Sequence, residues 1–465
     1  MAGVGRAASR PRSNAERGVA RTNRYDGHRD FPDDGCPMNT LELLEAGQLA
    51  GATRLDLACG LTEFPQAIFT LADSLEVLNL SGNALTRLPD DLHRLHKLKV
   101  LFCSDNPFTE LPACIGQCQQ LSMVGFKANR IEHVPAQALP PNLRWLILTD
   151  NRIERLPEAL GDCLQMQKLM LSGNRLQSLP DSLARLENLE LLRLSANRLQ
   201  TLPDWLLRLP RLAWLAYAGN PMSEAFSTPH SEGTRGHIAW SDLRMDEKLG
   251  EGASGIIYRA HLDSDQPVAV KLYKGAMTSD GSPVNEMNAC MAAGAHPQLI
   301  EVLGRLSGHP EGTAGLVMAL IDPSFANLAG PPSLASCTRD IYAADLAIER
   351  RALLRLLRGM AGVGAHLHAR GINHGDFYAH NVLWRETGEC LFGDFGGASF
   401  YPGDGGDVSR ALERIEVRAF GLLFEELLTR CPEADDALWA LQRECVQPQV
   451  LARPSFAQIA LRLGT

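Results

Sequence analysis

An asparagine returns along the first half of the chain at Asn83, Asn106, Asn129, Asn151, Asn174, Asn197 and Asn220, at intervals of 23, 23, 22, 23, 23 and 23 residues. The same apolar frame surrounds it each time. LEVLNLSGNALTRLP (75–89) is followed by LKVLFCSDNPFTELP (98–112), LSMVGFKANRIEHVP (121–135), LRWLILTDNRIERLP (143–157), MQKLMLSGNRLQSLP (166–180) and LELLRLSANRLQTLP (189–203). A unit this short cannot bury its own apolar face, so it folds only by stacking on its neighbours. In each unit a Leu pair, Leu78 and Leu80 in the first, alternates on a short strand and points inward. The Asn reaches backbone groups inside the turn that would otherwise stay unsatisfied, and Leu-Pro starts the convex segment.

This frame resembles the leucine-rich repeat family. A degenerate copy, LDLACGLTEFP (55–65), has Gly60 where Asn is expected and reads as an N-terminal cap; LAWLAYAGNPM (212–222) reads as the last turn. The outward strand positions line a concave face. One column runs Val77, Val100, Met123, Trp145, Lys168, Leu191, Trp214, and its neighbour includes Phe102, Ile147 and Met170. A contiguous apolar patch of this kind marks a contact surface, for a partner protein or for the chain's own second half. The plainer alternative is a shallow face that tolerates such residues.

At 465 residues the chain is long enough for two or three domains. Its net charge of −9 argues against a nucleic-acid binder. No apolar run reaches the roughly 18–20 residues needed to cross a bilayer. Residues 1–37 carry seven Arg and no Lys and read as a disordered leader. A transit peptide is the alternative, although Glu16, Asp26, Asp30, Asp33 and Asp34 spoil its expected shortage of acids. Met38, directly before the first patterned segment, is an alternative start. Eleven Cys without a CxxC pair imply free thiols and a cytoplasmic setting.

Residues 221–237, rich in Pro, Ser, Gly and His, read as a linker. From about residue 238 a second set of signals begins. Gly250-Glu251-Gly252-Ala253-Ser254-Gly255 lies between two strand-like runs, and Val268-Ala-Val-Lys271 reads as a strand ending in a cation. Glu286 falls in a helical stretch, suitably distant to hold that cation. Leu316–Ile321 is an apolar strand, and a long amphipathic helix covers roughly 342–369. It leads into His374-Gly-Asp376-Phe-Tyr-Ala-His-Asn381, then Asp394-Phe-Gly396. Val417–Gly421 opens another helix, and Ala452-Arg453-Pro-Ser-Phe456 follows near the end.

In this order and spacing the set resembles the eukaryotic-type protein kinases, nearest their tyrosine-kinase-like branch, over about 225 residues. The fold expected is an α/β leucine-rich-repeat solenoid followed by an α+β bilobal protein-kinase-like domain. The division expected is a leader at 1–37, repeats at 38–222, a linker at 223–237 and the kinase part at 238–465. The resemblance implies ATP and Mg as cofactors, with the 250–255 loop over the phosphates and Lys271, held by Glu286, on the α- and β-phosphates. It implies Asn381 and Asp394 as metal ligands and Asp376 as the residue that orients or deprotonates the hydroxyl. Ile257, Ala269 and Leu383 should sandwich the adenine, with Met318 as gatekeeper and Ala319 and Ile321 at the hinge.

Four departures stand out. Gly375 replaces the Arg that senses activation-loop phosphate, so phosphorylation control is not expected. Tyr378 stands where serine/threonine kinases place a Lys, and His380 where tyrosine kinases place an Arg. His380 either covers the missing charge or merely orients and packs. The stretch from Asp394 to Glu416 is short and has no APE, which leaves Arg453 without its usual Glu partner. Too few residues separate the helices ending near Arg430 and starting near Ala437 for an intervening helix. The reading is a kinase of protein hydroxyls, of the serine/threonine type, with the repeats recruiting or regulating a partner. The alternatives are a repeat scaffold with a weak or silent kinase half, and a small-molecule phosphotransferase.

Overall fold

The computed structural model describes residues 38–226, 236–252, 254–275, 277–278 and 281–464. The leader expected at 1–37, most of the linker and Ala253 lie outside them. After helix α1 (Met38–Glu45), eight three-residue strands stack in parallel and in sequence order. They are β1 (Arg54–Asp56), β2 (Val77–Asn79), β3 (Val100–Phe102), β4 (Met123–Gly125), β5 (Trp145–Ile147), β6 (Lys168–Met170), β7 (Leu191–Arg193) and β8 (Trp214–Ala216). The middle residue of each points into the solenoid, and Leu78, Leu101, Leu146, Leu169, Leu192 and Leu215 are fully buried.

The asparagines form the expected ladder. Asn174 Nδ2 donates to the carbonyls of Leu148 and Leu171 at 2.8 and 3.0 Å, and its Oδ1 accepts from Ile153 N at 3.0 Å. Asn197 repeats the pattern one turn on, with Leu171, Leu194 and Leu176. The residue before each Asn turns left-handed, which explains why Gly82, Gly173 and Gly219 recur there; Asp105, Ala128, Asp150 and Ala196 take the same φ.

After the single turn α2 (Pro221–Glu224) come β9 (His237–Ala239), β10 (Leu243–Glu251), β11 (Gly255–Leu262), β12 (Pro267–Tyr273), β13 (Val302–Ser307) and β14 (Gly315–Ala319). They form one sheet ordered β10-β11-β12-β14-β13-β9. Helix α3 (Pro283–Ala293) is capped by Ser282, whose side chain accepts from Val284 N. Short strands β15 (Ala326–Asn327), β17 (Val382–Trp384) and β18 (Cys390–Phe392) make a second sheet, while β16 (Ile372–Asn373) pairs with β19 (Ser399–Phe400). Helices α4 (Arg350–His368), α5 (Asp407–Leu428), α6 (Asp436–Val446) and α7 (Phe456–Gly464) complete the larger lobe.

Two helix boundaries differ from the expectation. α4 begins at Arg350 rather than near 342; Ile348 N donates to Arg430 O instead of continuing a helix, and the residues before it are held by distant side chains. Thr338 donates to Glu190, Asp340 holds His380, and Tyr342 donates to Glu426. α5 begins at Asp407, ten residues before Val417, so only a short strand and turn separate it from Asp394.

The concave face of the solenoid is closed by the second half of the same chain. Val100, Met123, Trp145, Met170, Leu191 and Trp214 are buried in one apolar cluster with Phe377, Tyr378, Val417 and Phe420, and Val77, Phe102 and Ile147 pack against it. Of the two occupants expected for the column, the chain's own second half is the one found. Polar groups line the same join. Tyr217 N donates to Ser399 Oγ at 2.9 Å, and Arg418 Nε donates to Arg211 O at 3.1 Å. Arg453 donates to Gln447 O, Arg414 O and, across the join, Pro210 O, so carbonyls take the place of its expected carboxylate partner.

Candidate active site

The small-lobe wall of the site follows from strand register. Ile257 pairs with Lys271 across β11 and β12, and Ala269 pairs with Met318 across β12 and β14. Residues two apart on a strand share a face, so Ile257, Ala269, Lys271 and Met318 line one side of the sheet. Ala319 and Ile321 continue from its end, and Leu383 sits on β17, paired with Leu391. Ala319 N donates to Glu301 O. The glycine segment is the β10–β11 turn, closed by Gly252 N donating to Gly255 O at 2.9 Å. Glu251 bridges Lys248 and Lys274 beneath it, and Ser254 is buried.

Lys271 is ion-paired with Glu286 on the first turn of α3. Both are buried, and the Lys271 ammonium also lies 5.0 Å from the Tyr273 ring centre. Burial opposes the ammonium, but the charges of Glu286 and Asp394 outweigh it and hold Lys271 above its ordinary value. Asp394 caps the short turn Phe395–Gly397, which packs against α3, the helix that carries Glu286.

The opposite wall is the segment from His374 to Asn381. Asn381 Nδ2 donates to the Asp376 carbonyl at 3.0 Å and to Asp376 Oδ2 at 2.9 Å. Asp394 adopts a left-handed backbone, φ 58°, and its Oδ1 accepts from Gly396 N. His380 Nδ1 meets Asp340 Oδ1 at 2.7 Å, while His380 N donates to Asp340 Oδ2. That carboxylate fixes the ring, the geometry of an oriented His.

Glu416, Asp340 and Arg193 were not anticipated, and Trp214 was expected only as a contact of the concave face. Glu416, buried on α5, accepts from Gly375 N and from His374 N and meets His368 Nε2 at 2.7 Å. Burial alone would raise its carboxyl, but His368, His374 and the Gly375 N–H together hold it below the usual range. Glu416 is thus a charged anchor that fixes the turn before Asp376. Asp340 orients His380. Trp214 stacks flat on Tyr378, centroids 4.2 Å apart and planes 2° apart, and donates Nε1 to Phe377 O at 3.2 Å. Arg193 on β7 donates to Gly375 O and to Asp376 Oδ1, both at 2.7 Å. It stands in the column of Phe102, Ile147 and Met170, where a lone charge in an apolar row was a readable signal.

The site thus combines a cation paired to a carboxylate on one wall, an Asp–Asn pair on the other and a second Asp whose charge acts on the cation. Residues 243–418 match the family described as protein tyrosine and serine/threonine kinase, and residues 73–113 and 164–222 match leucine-rich repeat families. The chain thus carries leucine-rich repeats and a protein kinase domain. It is 30% identical to "Putative serine/threonine-protein kinase L673" of Acanthamoeba polyphaga mimivirus over 39% of this chain and 31% of that one. It is 28% identical to "Probable LRR receptor-like serine/threonine-protein kinase At5g10290" of Arabidopsis thaliana over 43% of this chain and 37% of that one. The matched part therefore spans about a third of these relatives. A solved leucine-rich-repeat protein of Leptospira interrogans, LIC12759, is 29% identical with a TM-score of 0.33, covering 38% of this chain and 51% of that one. Among the described residues no helix is long and apolar enough to cross a membrane.

Proposed function

We propose that the chain is an ATP- and Mg-dependent protein kinase of the serine/threonine type, transferring the γ-phosphoryl group to a protein hydroxyl. The observation that carries this reading is the buried Lys271–Glu286 pair with Asp394 in its field, on the sheet face shared by Ile257, Ala269 and Met318. A desolvated Lys held by a carboxylate is a fixed positive site suited to phosphate oxygens. The apolar residues beside it suit a flat base.

The donor set fits magnesium. Asp394 offers carboxylate oxygens, and Asn381 uses the nitrogen end of its amide on Asp376, so the oxygen end is the hard donor toward a metal. Bound there, the ion would neutralise charge on the phosphates. Asp376, held at Oδ2 by Asn381, orients the acceptor hydroxyl and takes its proton as the oxygen attacks phosphorus. Glu416 keeps the turn beneath it in place through Gly375 N and His374 N.

Recruitment of a partner through Val77, Val100, Phe102, Met123, Trp145, Ile147, Leu191 and Trp214 is not compatible with the burial of Val100, Met123, Trp145, Leu191 and Trp214 inside the chain and the packing of the other three against them. Recruitment requires another surface. The same burial, together with the short connection from Asp394 to α5, favours autophosphorylation or a compact acceptor as a second reading of the substrate. The test is labelled ATP with Mg, using the full chain and Asp376→Asn. Label on protein in the wild type and its loss in the variant support the reading. Saturating Mg·ATP that leaves the melting temperature of the wild type unmoved removes it.

A further inference from the structure

This inference rests on the kinase reading and names a further residue of its site. We propose that Arg193 of the repeat solenoid is a positioning residue of phosphotransfer, supplying from the repeats the cation that the catalytic loop lacks at Tyr378. Its side chain is only 2% exposed, and a guanidinium so far from water is tolerated only when paired and hydrogen-bonded. The pairing takes two points on adjacent residues, the Gly375 carbonyl and Asp376 Oδ1. With Asn381 on Oδ2, the Asp376 carboxylate is gripped from both sides, which fixes its plane.

The grip does not seal the group, since the Asp376 side chain remains 15% exposed. A hydroxyl can still reach it, which separates a positioning contact from a lock.

The loop is also shaped around the solenoid. Gly375 has φ +71°, and a Cβ there would come within 2.8 Å of Leu215 O. The Arg that the kinase pattern places at this position would strike the last repeat. Tyr378 fills the place of the usual loop cation with a ring that stacks on Trp214, and the positive charge arrives from the neighbouring strand. The two departures at 375 and 378 and the two solenoid residues Arg193 and Trp214 therefore form one substitution. During transfer the hydroxyl oxygen bonds to phosphorus, the bond to the leaving ADP breaks, and the proton passes to Asp376. Arg193 makes and breaks no bond; it keeps the accepting carboxylate aimed.

The test uses the full chain with Arg193→Met and Arg193→Lys, measuring transfer of label from ATP to protein and to water, KM for ATP, and the melting shift given by Mg·ATP. Misplacing a reacting group by an ångström costs on the order of a hundredfold. Arg193→Met should lose kcat to about that extent while KM and the ATP-induced melting shift stay close to wild type. Arg193→Lys should recover roughly tenfold of the loss, which a merely structural role would not require. If Arg193→Met does not fold, Arg193→Lys decides alone: a fall in kcat at constant KM supports the role, and an unchanged kcat overturns it. Equal or faster transfer by Arg193→Met overturns it and makes the contact a lock. A wild type with no transfer and no ATP-induced shift overturns the kinase reading itself, a different result from one that binds ATP and gains activity on losing Arg193.

Discussion

Gly375→Ala should damage this protein more than any ordinary loop substitution. The residue has φ +71°, and an added Cβ would lie 2.3 Å from Gly397 O, 2.8 Å from Leu215 O and 3.0 Å from Gly397 C. All three atoms are backbone, so no side chain can swing aside. The left-handed conformation costs an Ala roughly 1–2 kcal/mol. Overpacking against fixed neighbours adds about 1–3 kcal/mol. The sum is about 2–5 kcal/mol, spread over the join because one neighbour is solenoid and the other follows Asp394. At roughly 2–4 °C per kcal/mol for a unit of this order of size, the melting temperature should fall by at least about 4 °C. Differential scanning calorimetry on the full chain measures it, with Gly403→Ala as the control, since nothing lies within 4 Å of a Cβ there. Two variants that melt together would refute the packing of the loop between Leu215 and Gly397.

Three further outcomes follow from single contacts. Glu426 is pushed up to about 7 by burial and by the nearby Asp340 charge. The folded state therefore holds a proton between about pH 4.5 and 7 that the unfolded chain has released, and the carboxylate costs stability in full above pH 7. Glu426→Gln should stabilise the chain by up to about 3 kcal/mol at pH 8 and by little at pH 4.5, read by urea denaturation; equal effects at both would contradict the burial of an ionising group. Asn174→Ala leaves the Ile153 N–H without its acceptor, while the Leu148 and Leu171 carbonyls keep Asn151 and Asn197 as donors, and should cost about 1–3 kcal/mol in the same measurement; no measurable loss would deny the ladder. Lys271→Met should abolish the melting shift produced by Mg·ATP and, by leaving Glu286 buried without its cation, should also lower the ligand-free transition; a full Mg·ATP shift in the variant would remove Lys271 from nucleotide binding.

Much of the molecule is legible from local pattern. The 23-residue period and its Leu positions specify eight stacked strands because each unit needs its neighbours to bury its face. The Lys271, Glu286, Asp376, Asn381 and Asp394 positions were readable because their order and separations follow a known family. What stayed hidden depends on contacts between distant parts of the chain. Nothing local to LELLRLSAN shows that Arg193 meets a residue 183 positions later. Glu416 reads as one more helix acid until α5 passes beneath the His374–Gly375 turn. The start of α4 lies eight residues later than expected because residues in 342–349 are claimed by distant partners, Tyr342 donating to Glu426 and Ile348 N to Arg430 O. The concave column illustrates both cases, since its apolar character was evident and its occupant had to be one of two.

Hydrogen–deuterium exchange on the intact chain and on Trp214→Ala examines the union of solenoid and catalytic loop most directly. Trp214 stacks on Tyr378 and donates to Phe377 O, and Tyr217 N donates across to Ser399 Oγ. Peptides from 189–219 and from 371–381 should be protected together in the wild type and should lose protection together in the variant, with 75–112 unchanged. A 371–381 peptide that exchanges like an open surface loop in the wild type, or that ignores the loss of Trp214, would contradict the account.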